Sequence, residues 1–327
     1  MPLSASPFFI TMKYKLLLLL ALVQITSVAN AQIYKNEFGF QSDNDAYLFY
    51  GQDRYYTNGL FINFRHASDQ SQLKENIEKK IWEVSVGQKM FNPSSGYAPD
   101  PARHDRPFAG YLYASGAMSW FFKNESMLKT GLQVGVTGKS SIAEAGQKFL
   151  HKTVGFYPIQ GWDYQVAEEV GATLSAQYTR LLQRAKNNYT DFSLDAYANA
   201  GMMFNAAGVG VLFRAGDINQ LFNSSYTNSV IGNKAKTKRL VGKEIFFYAK
   251  PQINLVAYDA TLQGSMFNDD SPVTFDPKPI VFAQQLGLNY STQRFTLDFN
   301  IIFKSKEVKS EAKPHQYGSI SMYYRFN

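Results

Sequence analysis

The feature that most limits the fold is an alternation of period two that persists for ten residues or more without growing into a continuous apolar span. From Arg294 to Phe303, Phe295, Leu297, Phe299, Ile301 and Phe303 alternate with Thr296, Asp298, Asn300 and Ile302. The same pattern sets Phe192, Leu194, Ala196 and Ala198 against Ser193, Asp195, Tyr197 and Asn199, and Leu128, Thr130, Leu132, Val134 and Val136 against Lys129, Gln133 and Thr137. It closes the chain with Ile320, Met322, Tyr324 and Phe326 against Ser319, Ser321, Tyr323 and Arg325. Alternation at this period is a strand with one greasy and one polar face. Strands of a soluble sandwich usually stop near 5 to 6 residues, roughly half the length seen here. About 9 to 11 tilted residues are what a strand needs to cross a bilayer.

Twelve such segments are expected, near 33–41, 56–66, 81–91, 108–121, 127–138, 169–183, 190–204, 207–216, 243–257, 278–290, 294–305 and 316–327. An even number of crossing strands suits a closed bacterial barrel, and lipid forbids an open edge with unpaired backbone groups. The expected fold is therefore all-β: a twelve-stranded antiparallel transmembrane β-barrel. The 26 Phe and 21 Tyr supply its aromatic girdles. A lumen of this size can be nearly filled by Tyr, Gln, Asn and Lys, which speaks against bulk transport. The soluble alternative is a secreted sandwich or lipocalin-like barrel.

The first 31 residues read as a signal peptide: Lys13 and Lys15, an apolar run from Leu16 to Val23, and the small-residue exit Ala29-Asn30-Ala31. The run is too short to span, and Gln24, Thr26 and Ser27 cut it off. Residues 32–327 are then the mature barrel. With 33 basic and 26 acidic residues the formal charge is +7, and loss of the two lysines leaves it mildly basic. No nucleic-acid-binding signature accompanies that charge, so an anionic surface such as lipopolysaccharide fits better. The absence of cysteine excludes disulfide scaffolds, thiolate metal sites and cysteine nucleophiles.

A barrel entered from the periplasm places its odd-numbered connections outside the cell: 42–55, 92–107, 139–168, 205–206, 258–277 and 306–315. Short links at 123–127 and 291–294 suit periplasmic turns. The Asn-, Ser- and Lys-rich stretch 217–242 falls on the same side and is too long for such a turn. Residues 141–153 have helical character, with Ser140 or Ser141 as a cap and Ile142, Ala145, Phe149 and Leu150 as an apolar stripe.

Chemistry concentrates in two places. Of four histidines, His66, His104, His151 and His315, His151 stands one helical turn after Gln147 and two after Glu144, on one face. An imidazole held by an amide or carboxylate is a general base arrangement; a helix C-terminal histidine meeting the carbonyl ends is the other reading of the spacing. The second cluster is Asp43-Asn44-Asp45 followed by Asp53-Arg54-Tyr55-Tyr56-Thr57-Asn58-Gly59. Its oxygens suit a hard cation such as calcium, or equally a solvated turn, since the EF-hand layout is missing. No Gly-x-Ser-x-Gly elbow or nucleotide-binding glycine pattern occurs.

Together these residues resemble the outer-membrane lipid A 3-O-deacylase family. The likeness runs through Asn44-Asp45, Asp53-Arg54 with Tyr56-Thr57-Asn58-Gly59, and Asp105-Arg106-Pro107-Phe108-Ala109-Gly110. It continues through Gly146-Gln147 with His151 and Gly155, then Gly161-Trp162 and Thr261-Leu262-Gln263-Gly264. The resemblance implies a twelve-stranded outer-membrane enzyme that hydrolyses the ester-linked acyl chain at the 3-position of lipid A. It implies Asn44, Asp45 and Thr57 in the active site, a calcium ion near Asn44 and Asp45, Gln147 as a helper and His151 as general base. Lipopolysaccharide is the expected substrate and outer-membrane lipids the expected surroundings of a monomer in the outer membrane, with no nucleic-acid partner. There are two departures from the family: Tyr157 stands where an acid can follow the histidine by six residues, and Tyr97 and Ala98 stand where paired basic residues can occur. Arg103, Arg106 and Lys152 are the cations left to meet phosphates, or are ordinary solvated cations. Glu144 and Asp163 are both candidate orienters of His151. The rival readings are an outer-membrane phospholipase and a non-catalytic structural or pore barrel.

Overall fold

A computed structural model describes residues 33–48, 53–234 and 237–327; the expected signal peptide, 1–31, lies outside them. The chain forms one closed barrel in which each strand pairs antiparallel with the next and the last pairs with the first. The strands are β1 (Asn36–Asn44), β2 (Tyr55–Ala67), β3 (Ile77–Asn92), β4 (Ala109–Phe122), β5 (Ser126–Thr137), β6 (Val170–Arg184), β7 (Thr190–Gly201), β8 (Phe204–Asp217), β9 (Glu244–Asp259), β10 (Ile280–Ser291), β11 (Phe295–Lys304) and β12 (His315–Phe326). Closure runs from Asn36 opposite Phe326 to Asn44 opposite Gly318. Among the described residues no helix is long and apolar enough to cross a membrane.

The alternation is realised inside out relative to a soluble protein. Phe38, Leu60, Ile62, Val84, Val86, Leu132, Val134, Leu174 and Leu288 are exposed, while Glu37, Asn63, Arg65, Asp195, Arg214, Asn300 and Arg325 are buried. A greasy exterior around a polar interior is stable only in lipid. The buried charges are paired: Glu37 takes Arg65 Nη1 at 2.8 Å and Arg325 Nε at 2.6 Å. This rules out the soluble alternative. A polar cavity of about 560 Å³ remains in the lumen, bordered among others by Asp43, Lys250, Asp298, Lys304 and Tyr317.

The long connection after β8 folds inward over residues 218–234. Phe222 and Ile231 pack with Ala67, Ile81, Phe121 and Met127, and Ile218 packs with Leu212, Phe246 and Tyr248. Glu244 accepts from the backbone N–H groups of Asn219 at 3.0 Å and Ser225 at 2.7 Å, and Ser225 bonds Asn289. The stretch is a plug, and Ser225, Tyr226 and Asn228 border the lumen cavity.

Three local expectations change. The β7–β8 turn is Met202–Met203 rather than 205–206, because Phe204 and Asn205 already pair with Asp259 and Tyr258. Strand β1 spans 36–44 rather than 33–41. The loop helix, α1 (Ala143–Val154), has Ile142 at its N-cap position with no side-chain cap bond, and Ser141, one residue earlier, accepts from the Ala143 N–H at 3.4 Å. A second short helix, α2 (Ala260–Gln263), closes the β9 end.

Candidate active site

The site is built on the outer wall of the barrel, at the rim that the connection parity places outside the cell. Along β3, Val84 and Val86 face outward and are exposed, so Gln88 and Met90 two and four residues on share that face. On β1 and β2, Asn44 and Asn58 are opposite each other, and Asn44 Nδ2 donates to Asn58 Oδ1 at 2.5 Å. Between Tyr56 and Asn58 the β2–β3 register slips by one residue. Thr57 is that bulge residue, and a bulge re-aims a side chain.

Helix α1 lies across this wall. Gly110 of β4 has no room for a Cβ, because one would meet Ser141 and Ala143, and Gly146 faces Met90 of β3. Gln88 donates to the Ser141 carbonyl, and Ala143 packs with Met90, Phe108, Ile159 and Trp162. The helix therefore runs from above β4, past β3, toward the loop before β2. Its wall-facing side carries Ala143, Gln147 and His151, all buried.

Those side chains converge on Asp53. His151 Nε2 lies 3.1 Å from Asp53 Oδ2. Gln147 Nε2 donates to both Asp53 oxygens at 3.1 Å, while its Oε1 accepts from Trp162 Nε1 at 2.8 Å. Tyr157 Oη donates to Asp53 Oδ2 at 2.9 Å, Asn92 Nδ2 to Oδ1 at 3.1 Å, and Thr57 Oγ1 touches Oδ1. The other imidazole nitrogen, Nδ1, is 2.8 Å from the Tyr157 carbonyl. A carbonyl only accepts, so Nδ1 carries a proton. Nε2 is left facing the Asp53 carboxylate.

Asp45 completes the cluster. Its Oδ1 is 3.2 Å from Thr57 Oγ1, and Oδ2 accepts from the Arg54 N–H at 3.0 Å. Burial pushes its carboxyl up to about 8, and the neighbouring charge of Asp53 adds to this against the bonds from Arg54, Thr57 and Ala46. Thr57 has one hydroxyl proton for two carboxylates. Asn92 is fully buried, and its Oδ1 has no hydrogen-bond partner. Two carboxylates short of positive charge beside an orphaned amide oxygen are an all-oxygen donor set that fits a hard cation. Among the described residues no three His, Cys, Asp or Glu side chains cluster as ligands, so neutral oxygens would complete the shell.

The structure brings together Asp45, Thr57, Gln147 and His151. Asn44 stands one step back: its Oδ1 accepts from the Ala46 N–H at 2.7 Å and shapes the Asp45 turn. Neither expected orienter touches His151; Glu144 pairs with Lys148 at 2.6 Å, and Asp163 has no hydrogen bond to the imidazole. Asp53, the hub, is visible in the sequence only as one acid in a turn. Its partner lies in another loop, and only proximity in the fold selects it. Tyr157 stays a neutral donor, because burial and the Asp53 charge raise its phenol. Of the phosphate candidates, Arg106 is buried inside, donating to Thr261 at 2.8 Å and stacking 4.0 Å over the Phe91 ring. Arg103 is solvated and pairs loosely with Asp100 at 3.5 Å. Lys152 is exposed on α1. A cleft of about 430 Å³ opens beside the dyad, lined by Asp53, Arg54, Ser94, Ser95, Tyr97, Tyr157 and Pro158.

The family model described as outer membrane protein LpxR matches residues 16–326. LpxR from Salmonella typhimurium has a similar structure, with TM-score 0.72 and 18% identity over 89% of this chain and 100% of that one. The beta domain of the Bordetella autotransporter BrkA matches at TM-score 0.48 and 9% identity over 90% and 100% of the two chains. The translocator domain of NalP from Neisseria meningitidis matches at TM-score 0.40 and 11% identity over 97% and 96%. No curated protein matches the chain.

Proposed function

The chain belongs to the LpxR family of outer membrane proteins, and from that membership and the placement of its polar cluster we propose that it is a lipid A deacylase, hydrolysing the ester-linked acyl chain at the 3-position. The observation that carries the proposal is the outward aim of the site. His151, Asp53, Gln147 and Thr57 stand on the barrel's outside, directly above the lipid-facing Leu60, Ile62, Val84 and Val86. A molecule resident in the outer leaflet reaches them with its acyl chains still in lipid.

In this reading His151 Nε2 takes a proton from water as Asp53 yields its place beside the imidazole, while the Tyr157 carbonyl keeps Nδ1 protonated and the ring oriented. The water oxygen bonds to the ester carbonyl carbon. The bond to the sugar oxygen then breaks, and that oxygen recovers the proton from His151, giving free fatty acid and alcohol. Gln147, fixed by Trp162, and Thr57 hold the Asp53 carboxylate beside the imidazole in a water-poor wedge between helix and wall, where such contacts act most strongly. Calcium held by Asp45 and Asp53 with the Thr57 and Asn92 oxygens would supply Lewis-acid stabilisation of the developing oxyanion. The cleft with Arg54, Ser94, Ser95 and Tyr97 offers a guanidinium, hydroxyls and an aromatic face to a phosphorylated sugar. Mass spectrometry of lipid A incubated with the purified barrel, with calcium or with chelator, tests this. Loss of one 3-position acyl unit only with calcium is expected. Hydrolysis of glycerophospholipids alone, or no hydrolysis by a folded barrel, would overturn it.

A further inference from the structure

Helix α1 is amphipathic in the wrong sense for a helix held by protein alone. Its polar residues Gln147 and His151 face the barrel, whereas its apolar stripe points away. Phe149 is 68% exposed, Ile142 59% and Leu150 39%, and Phe156 just beyond the helix is 56% exposed. Ala145 and Phe149 project from the side opposite Gln147 and His151 at about 100° per residue. The backbone reinforces the point. Ile142 has φ 54°, a left-handed conformation that disfavours a β-branched residue, yet its side chain is left exposed at that strained position.

We infer that this stripe is seated in the acyl layer of the outer leaflet, making α1 an interfacial membrane helix as well as a catalytic support. The lipid belt provides the continuity. Ser141 is bonded to Gln88 and Ala143 packs on Met90, and Val86, two residues below Gln88 on the same outward face, is already lipid-exposed. Two strand residues are about 7 Å, so the N-terminal end of the helix stands at the edge of that belt. The helix crosses the strands rather than continuing along them, which is the attitude of a helix lying in a membrane surface. Lys148 and Lys152 flank the stripe and suit the anionic phosphates of a lipopolysaccharide headgroup layer. Because Gln147 and His151 occupy the reverse side of the same turns, the lipid seat presses the catalytic face against the wall. Only this last consequence rests on the proposed deacylation; the seat itself rests on the barrel and its belt.

The chain has no cysteine, so single nitroxide labels can be placed without background. Phe149→Cys and Lys148→Cys barrels, each checked for folding by heat-dependent gel mobility, would be labelled and reconstituted into phospholipid vesicles containing lipopolysaccharide. The label at 149 is expected to be relaxed by oxygen and shielded from a water-soluble nickel chelate, and the label at 148 to show the reverse. A label at 149 as open to nickel as the one at 148 overturns the inference, whether or not the barrel hydrolyses lipid A. As a second readout, Phe149→Gln should slow hydrolysis in vesicles about tenfold, the effect of losing one buried aromatic's transfer energy. It should leave hydrolysis of a detergent-dispersed short-chain ester at the parent rate; equal rates in both media would also overturn the inference.

Discussion

Nε2 of His151 and Oδ2 of Asp53 stand 3.1 Å apart, so helix α1 and the loop before β2 meet at the centre of the site. In the proposed reaction each depends on the other. His151→Ala should lower lipid A hydrolysis by about 10² to 10⁴, the range for a positioned general base. Asp53→Asn should keep the fold, by gel mobility, and lose a comparable factor. Parent-rate turnover by either variant, measured by mass spectrometry, would falsify the assignment.

In the proposed cation site, Asp45 should make binding depend on pH. With its carboxyl held near 8, the group is protonated at neutral pH, and a cation must displace that proton. Calcium affinity should rise roughly tenfold per pH unit up to about pH 8 and level off above. Calorimetry in buffers of different protonation enthalpy should record about one proton released per cation at about pH 7 and none near pH 9. An affinity indifferent to pH over that range would exclude Asp45 as a ligand.

Trp162 acts on Asp53 through Gln147. Its indole N–H fixes which end of the buried amide is the acceptor, so the amide N–H₂ is aimed at the carboxylate. Trp162→Phe should cost about 1–3 kcal/mol of stability from an unsatisfied buried oxygen and reduce kcat more than KM. Gln147→Glu, which places a carboxylate against Asp53, should be worse. If Gln147→Glu turned over lipid A at the parent rate, the amide would have no part in the site.

The plug hangs on Glu244, which accepts from the backbone N–H groups of Asn219 and Ser225. Glu244→Ala should lower the temperature of the gel-mobility transition and raise ion leak through vesicles, while leaving deacylation unchanged. Leak equal to the parent's would show that the segment is held by its apolar contacts alone.

Much of the barrel is legible in the sequence because membrane strands alternate over their full length, as Phe295 to Phe303 do. The site is legible only in part. Gln147 and His151 share a helical face, which spacing reveals, but the same spacing points to Glu144, whose carboxylate turns instead to Lys148. Asp53 gives no periodic signal, since a loop residue's partner depends on how two connections fold over one wall. The stripe of Ile142, Phe149 and Leu150 is visibly one-sided, yet spacing along a helix carries no information about whether protein, water or lipid lies against its greasy side. The plug is invisible for a similar reason: its Asn and Ser residues read as solvated chain, whereas they satisfy one another and the strand backbone inside a polar lumen.

The outward-facing site also determines how such an enzyme meets its substrate. A cluster opening to the leaflet rather than to the lumen or the medium is supplied by lateral diffusion in two dimensions. Its turnover would follow the mole fraction of substrate in the surface, falling as inert lipid dilutes it, and would be nearly blind to the total amount of membrane in the tube.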